Sequence, residues 1–411
     1  MRVALLGYGT VGSGVYELIQ KNTTAVKTNF DRKLEVVKIL VKNLDKYKSH
    51  EAYHLFTNDF NDLKNADIDI AIETIGGISP TGDYLKHFLS HGIPVITANK
   101  DLIAEIGSEL IEIAREHNTI LSFEASVGGG IPILKPLQES LAGNEIKNIS
   151  AVLNGTTNYI LTKMYEDNMG YDEALSLAQS MGFAEADPTS DVEGYDAMRK
   201  LVILSTIGYK KHIRWTDLPL EGISRVTARD IAFAKDENYK IKLIAFSEDM
   251  GDAIYGTVRP VFITQQSKYA KIDNEFNAVL VEGDAVGELM FTGKGAGKYP
   301  TASAILGDLM DIIQNKKILP SYIYQDEVKI IKHYPKEAKY VVRFQAKDLN
   351  LLAAKLFSLF SDHGLKLTLA SETQSLYVQV TESNEKTLLE KLNQITETFN
   401  CNYIHYLVYD K

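Results

Sequence analysis

Short apolar runs alternate with amphipathic stretches over the first 130 residues. Val3–Leu6 reads as a strand and Val11–Gln20 as a helix. Leu34–Val41, Ile68–Glu73, Pro94–Thr97 and Thr119–Phe123 read as four further strands. Thr81–Ser90 and Leu102–His117, between the later ones, carry apolar residues at helical spacing. This alternation predicts an α/β fold, a parallel sheet with helices on both faces.

The pattern changes near Pro132. Helical segments cluster at Ile133–Leu141, Thr157–Asp167, Tyr171–Gln179 and Asp196–Ile207. Strands follow at Lys240–Glu248, Ala253–Ile263 and Ala278–Thr292. Helices followed by strands predict an α+β domain built on an antiparallel sheet. A helix over Ala302–Ile313, after the turn Gly293-Lys294-Gly295-Ala296-Gly297, is expected to return to the first domain. Residues 315–337, with Pro320 and Pro335, read as a linker. Lys339–Lys411 reads β-α-β-β-α-β, with strands Tyr340–Gln345, Lys366–Ala370, Leu376–Val380 and Tyr403–Tyr409 and helices Leu351–Asp362 and Glu385–Thr398. That is the ferredoxin-like order. The expected domains are 1–130 with about 298–318, then 131–297, then 338–411.

A chain of 411 residues suits two or three domains. The net charge of −10 argues against a general nucleic-acid or anionic-membrane binder. The single cysteine, Cys401, excludes an internal disulfide or a thiolate zinc cluster. A strand beginning at Val3 leaves no room for a cleavable leader, and no apolar run would span a bilayer. A cytoplasmic location is expected.

Two segments carry the chemistry. Gly7-Tyr8-Gly9-Thr10-Val11-Gly12 lies between a predicted strand and a predicted helix. There Gly7 permits the tight turn, Gly9 admits a pyrophosphate to the backbone, and Gly12 allows close helix packing. The helix N-terminus adds unpaired N–H groups and a favourable dipole. Asp31 precedes the second strand and is poorly placed for a ribose. Lys42, just past that strand, either suits a 2′-phosphate, which leans toward NADP over NAD, or is a solvated lysine at a strand end, which leaves NADP or NAD open.

The second segment is the acidic run from Glu185 to Asp196, closed by Lys200. Asp196 and Lys200 are four apart and share a helix face, a spacing that by itself signals only a surface pair. If Glu185, Asp191 and Asp196 converge, they would attract an α-ammonium group. Lys100 follows Thr97-Ala98-Asn99 at the C-terminal end of a predicted strand, the edge where open α/β sheets bind ligands. The glycine-rich crossing Phe123–Pro132 reads as a hinge, or as a turn aiming carbonyls at a hard monovalent cation, sodium or potassium.

Taken in order, these motifs resemble the homoserine dehydrogenases. The resemblance runs through residues 7–12, Thr-Ala-Asn-Lys at 97–100, Glu-Ala-Ser-Val-Gly-Gly-Gly-Ile-Pro at 124–132, and Asn-Gly-Thr-Thr-Asn-Tyr-Ile at 154–160. It continues through Gly-Phe-Ala-Glu-Ala-Asp-Pro at 182–188, Asp-Val-Glu-Gly-Tyr-Asp-Ala at 191–197 with Lys200 after it, Gly-Lys-Gly-Ala-Gly at 293–297, and Pro-Thr-Ala-Ser-Ala at 300–304. About three quarters of the chain is covered.

The resemblance implies NAD(P)-dependent interconversion of L-aspartate 4-semialdehyde and L-homoserine. It implies Lys200 and Lys100 as catalytic amines, and Gly155, Thr156, Glu185, Asp191 and Asp196 as the amino-acid pocket. The cofactor set is Gly7, Gly9, Thr10, Val11, Gly12, Lys42, Thr74, Thr97, Lys100 and Gly297. A monovalent cation would be bound largely through backbone oxygens of Glu124, Val127, Gly129 and Ile131. A homodimer or higher homo-oligomer is implied as well.

The C-terminal segment resembles an ACT domain, which in this family often binds threonine. Its first turn, Asp348-Leu349-Asn350-Leu351-Leu352-Ala353, lacks the usual Pro-Gly pair. A side chain there stands where an amino-acid ligand would meet backbone, so a role in assembly is expected instead. Two competing readings are an oxidoreductase of a related amino-acid aldehyde and a non-catalytic amino-acid sensor. Retention of both lysines and the three carboxylates argues against the sensor. A phosphorylating aldehyde dehydrogenase would need a nucleophilic thiolate, and Cys401 lies far from either motif.

Overall fold

The computed structural model of this chain describes residues 1–30, 33–314, 328–360, 365–370 and 375–411. Asp31, residues 315–327 of the expected linker, and the end of the helix expected to reach Asp362 lie outside them. The chain forms two compact units, each assembled from three segments. The first comprises Met1–Gly155, Asp196–Trp215 and Phe276–Val328; the second comprises Thr156–Tyr195, Thr216–Glu275 and Lys329–Lys411.

The first unit holds a six-stranded, wholly parallel sheet. Its spatial order is Phe56–Thr57, Glu35–Leu40, Arg2–Leu6, Ile70–Glu73, Val95–Thr97 and Leu121–Ser122. This is the doubly wound order 3-2-1-4-5-6. The central strands are covered on both faces, which explains their unbroken apolar runs. Leu5, Ile39, Ile70, Ile72 and Ile96 are fully buried in one core with Val15 and Ile19 of the helix Thr10–Phe30. Ala302, Ile305 and Leu309 of the helix Lys298–Ile313 join the same core, so this segment does return to the sheet. Phe56–Thr57 escaped the sequence reading because two residues carry no periodicity.

Beside this sheet the first unit carries Ile146–Val152, Phe276–Gly283 and Gly287–Lys294 in antiparallel pairing. The first of these was not anticipated, since I-K-N-I-S-A-V lacks a clean two-residue alternation. The strand expected over Ala278–Thr292 is a hairpin instead, reversing at Asp284–Val286.

In the second unit the strands Tyr239–Asp249 and Ala253–Thr264 pair antiparallel along their whole length. The expectation of an antiparallel sheet needs correction, because the second sheet is mixed. Lys329–Ile331 and Asn402–Val408 both run parallel to Ala253–Thr264. From there the order is Asn402–Val408, Ala338–Gln345, Ser375–Glu382 and Lys366–Ala370, antiparallel throughout. The reversal arises because the C-terminal β-α-β-β-α-β segment closes its own antiparallel ladder and offers its last strand as an edge.

A buried ion pair fixes that segment. Asp230, in the helix Ala228–Asp236, is wholly buried. It accepts from the Thr227 backbone N–H (2.8 Å) and hydroxyl (2.7 Å), from the Tyr377 hydroxyl (3.1 Å) and from the Arg343 guanidinium. Asp230→Ala would strand Arg343 without a counter-ion and is expected to cost on the order of 3–5 kcal/mol. Urea unfolding followed by circular dichroism measures this; a loss below about 1 kcal/mol would assign the pair no structural weight.

Candidate active site

The site begins with what each chain segment needs locally. The helix Lys100–Glu116 opens where the strand Val95–Thr97 ends. Asn99 caps it, its side chain accepting from the Leu102 N–H at 3.1 Å, while its amide donates to the Gly77 carbonyl at 2.6 Å. The Asn99 backbone N–H donates to the Thr97 hydroxyl at 3.0 Å, and that hydroxyl donates to buried Glu73. Glu73 also accepts from the N–H groups of Ile75 (2.7 Å) and Gly76 (2.9 Å). One carboxylate thus sets both the loop after the fourth strand in spatial order and the start of the helix that carries Lys100. Burial pushes the Glu73 carboxyl above its ordinary range, against the pull of Thr97 and these N–H groups.

Lys100 meets Lys200 on a shared carboxylate. The Lys200 ammonium donates to Asp196 Oδ2 at 2.7 Å and to the Leu153 carbonyl at 2.9 Å. Lys100 Nζ lies 3.2 Å from Asp196 Oδ1. The Asn154 amide donates to Asp196 Oδ2 at 2.9 Å. Leu153 is itself held, since the Asn277 amide donates to its carbonyl at 2.8 Å. Gly295 admits that amide: a Cβ there would lie 2.0 Å from Asn277 Nδ2.

Asp196 is 5% exposed and Lys200 is 9% exposed. Burial alone would raise the Asp196 pKa; the charges of Lys200 and Lys100 override it and hold the group at about 2. The spacing of Asp196 and Lys200 indicated no more than a surface pair, yet the pair is interior. The helix Tyr195–Tyr209 is buried along most of its length, so its first turns carry Asp196 and Lys200 into the interior.

The glycine loop leads directly into the helix Thr10–Phe30. A Cβ on Gly12 would fall 2.3 Å from the Gly7 carbonyl oxygen, whereas one on Gly9 would meet nothing within 4 Å. Gly12 therefore packs the helix against the strand, and Gly9 leaves an open cradle at the exposed helix N-terminus with Thr10 and Val11. This fits a pyrophosphate. The Thr74 hydroxyl donates to the carbonyls of Leu6 and Gly7, at 3.3 and 3.2 Å, beside the same loop. Lys42 is exposed, just past the strand Glu35–Leu40. Gly297 is the N-cap of the helix Lys298–Ile313. Lys298 and Tyr299 both bond Glu17 of the loop's helix, at 2.7 and 2.9 Å.

The expected cation ligands form a buried turn. The Glu124 carboxylate accepts from the N–H groups of Ile133 (2.6 Å), Leu134 (2.9 Å) and Lys135 (2.7 Å). Its backbone N–H donates to Asp308 at 3.0 Å. The side chain is thereby committed to the helix Leu134–Gln138 and is not directed at a metal. Among the described residues, no group of three or more His, Cys, Asp or Glu is placed to hold one.

Gly155 closes a segment of the first unit; the remaining expected substrate residues besides Asp196 belong to the second. Thr156 follows Gly155 in the first turn of the helix Gly155–Glu166, and its hydroxyl donates to the Phe183 carbonyl at 2.6 Å. Glu185 is exposed, and Asp191 lies in the short helix Thr189–Val192. Sequence reading missed Glu73, Asn154, Asn277 and the Leu153 carbonyl. Asn154 stood inside a recognised motif and could have been singled out; a backbone carbonyl leaves no residue-type signal.

A nucleotide fold that gathers two amines on one buried carboxylate has the parts of a dinucleotide-dependent oxidoreductase. The family model described as homoserine dehydrogenase matches residues 132–310, and its NAD-binding domain matches residues 7–124. A homoserine dehydrogenase of Bacillus subtilis is 41% identical over 89% of this chain and 86% of its own length. A crystal structure of a homoserine dehydrogenase from Thiobacillus denitrificans superposes with a TM-score of 0.89 at 31% identity, over 100% of this chain and 98% of that one. A hyperthermophilic archaeal homoserine dehydrogenase in complex with NADPH covers 76% of this chain and 98% of its own, with a TM-score of 0.66 at 27% identity.

The chain belongs to the homoserine dehydrogenase family. It is an NAD(P)-dependent oxidoreductase of amino-acid biosynthesis acting on a small molecule. No helix among the described residues is long and apolar enough to cross a membrane.

Glu73 yields a test of the scaffold. Its folded pKa is raised, so the folded chain keeps this proton to higher pH than the unfolded chain does. The stability it contributes is present below the unfolded value and is lost as pH rises through the folded one. Glu73→Gln removes that dependence. From about pH 5 to about pH 8 the wild type should lose more Tm than the variant. Equal losses would contradict the assignment.

Proposed function

We propose that Lys200 is the general acid in the reduction of L-aspartate 4-semialdehyde to L-homoserine, with Lys100 assisting. The observation that carries this reading is the pair of ammonium groups held on Asp196. Two of the three Lys200 N–H donors go to Asp196 and Leu153; an ammonium has a third to give, here to the substrate carbonyl oxygen. When bound, the reduced cofactor supplies the hydride to the aldehyde carbon. Lys200 delivers a proton to the oxygen, and Lys100 places positive charge near the developing alkoxide. In the oxidative direction Lys200, or a water it holds, takes the hydroxyl proton. Two ammonium groups against one carboxylate leave a net positive charge, which suits an oxygen turning anionic.

The first turn of the helix Gly155–Glu166 offers N–H groups to the substrate α-carboxylate through Gly155 and Thr156. Glu185, Asp191 and Asp196 are the carboxylates assigned to its α-ammonium group. The cofactor is assigned to Gly7, Gly9, Thr10, Val11, Gly12, Lys42, Thr74, Thr97, Lys100 and Gly297. Lys42 supports a preference for NADP through its charge and position. A sodium or potassium ion is assigned to backbone oxygens of Glu124, Val127, Gly129 and Ile131. The positive φ of Gly128 (73°) and Gly129 (54°) supports this by turning successive carbonyls.

The domain reading is an NAD(P)-binding part (1–130 with about 298–318), a substrate and dimerisation part (131–297) and an ACT-like part (338–411). The strand order of the C-terminal segment supports the last. Asp348 Oδ1 accepts from the Leu351 N–H at 3.0 Å, so the turn that lacks Pro-Gly is used as a helix cap. We assign this module a role in assembly, with the homodimer or larger oligomer formed through the 131–297 part, and the cytoplasm as its location.

Turnover of NADPH with aspartate semialdehyde tests the central assignment. Lys200→Ala should lower kcat by about 10²–10⁴-fold with NADPH affinity little changed. Near-normal turnover would reject the role.

A further inference from the structure

A second contact joins the two helices that carry the lysines, one residue along from the first. Lys100 and Asp101 are consecutive on one helix; Arg199 and Lys200 are consecutive on the other. Asp196 binds Lys100, and Arg199 Nη1 lies 3.3 Å from Asp101 Oδ1. Each helix thus gives the other one cation and one anion. Asp101 Oδ1 is sealed from solvent and takes no hydrogen bond among the described residues, so the guanidinium is the cation nearest to it, although the side chain as a whole is 35% exposed.

The Arg199 guanidinium also lies 4.9 Å from the centre of the Trp215 ring, a cation–π distance. The Trp215 indole N–H donates to Glu105 Oε2 at 3.0 Å. Glu105 is four residues after Asp101 and so lies on the same helix face. The chain of contacts therefore leaves the Lys100 helix at Asp101, passes through Arg199 and Trp215, and returns to it at Glu105.

The backbone gives this closed loop a purpose. Ile106, next after Glu105, has φ −128° and ψ 16°, which interrupts the helix. Residues 100–105 form a short helical piece set apart by the kink, and so short a piece has little stability of its own. Asn99 holds its first turn, Leu102 and Ile103 are buried in the core, and Asp101 and Glu105 add polar ties to the Lys200 helix and the turn beyond.

We propose that Asp101, Glu105, Arg199 and Trp215 form a clamp that positions Lys100 relative to Lys200 without touching substrate. They are positioning residues, and the proposal rests on the reading of the two lysines as the catalytic amines.

Trp215 is the only tryptophan of the chain, so its fluorescence and its quenching by acrylamide report on the clamp directly. The experiment compares Arg199→Ala, Arg199→Lys, Trp215→Phe and Lys200→Ala by kcat, KM for aspartate semialdehyde, NADPH affinity and Tm. Arg199→Ala should expose Trp215 to quencher and lower kcat about ten-fold to a hundred-fold, with NADPH affinity held within about two-fold. Arg199→Lys, which keeps the charge, should recover part of that loss. Trp215→Phe, which keeps an aromatic face but loses the indole N–H bond to Glu105, should lower kcat by less than Arg199→Ala.

The proposal is overturned if Arg199→Ala exposes Trp215 yet keeps wild-type kcat. Should Arg199→Ala fail to fold, Arg199→Lys and Trp215→Phe decide the matter, and wild-type kcat in both overturns it. Wild-type turnover in Lys200→Ala overturns the catalytic reading and the clamp with it. An inactive Lys200→Ala beside a fully active Arg199→Ala rejects the clamp alone.

Discussion

A carboxylate taken out of water is tolerable only where cations and donors replace the water. Asp196 meets that condition with three side chains from three places. Lys200 comes from its own helix, Asn154 from the end of the strand Ile146–Val152, and Lys100 from the edge of the nucleotide-binding sheet. Moving any one of them takes away a cation or a donor that stands in for water. The electrostatic demand of one side chain therefore brings together the three segments the chemistry requires.

The same logic recurs one layer out, with backbone as the partner. Glu73 holds the N–H groups of Ile75 and Gly76, and Glu124 holds those of Ile133, Leu134 and Lys135. Each buried acid pins a turn next to a proposed binding element. Asn277 does likewise with a carbonyl, fixing the oxygen that receives Lys200. The site is built by satisfying buried polar groups, so its geometry and the stability of its surroundings come from the same contacts.

Much of this was legible in the sequence where the signal was local. The parallel sheet was announced by short apolar runs such as Val3–Leu6 and Ile70–Ile72, because strands covered on both faces need apolar residues. The glycine loop was legible because its spacing serves one geometry, and the C-terminal β-α-β-β-α-β order because its elements are long and periodic. What escaped depends on contacts between distant segments. Phe56–Thr57 is too short to show a period, the hairpin at Asp284–Val286 read as one strand, and the mixed second sheet arises from pairing with a far strand. Asp196 and Lys200 were marked by charge and spacing, but their burial follows from a helix that is buried along most of its length. Asn277 gave no signal, since its partner is a main-chain oxygen more than a hundred residues away.

The central claim is that Asp196 and Lys200 act as one unit. A double-mutant cycle on kcat with Asp196→Asn, Lys200→Ala and the double variant measures this directly. If the carboxylate works by holding the amine in place, Asp196→Asn lowers kcat strongly, and the double variant is no slower than Lys200→Ala alone. Losses that multiply across the two sites, or an Asp196→Asn enzyme that turns over like the wild type, would contradict it.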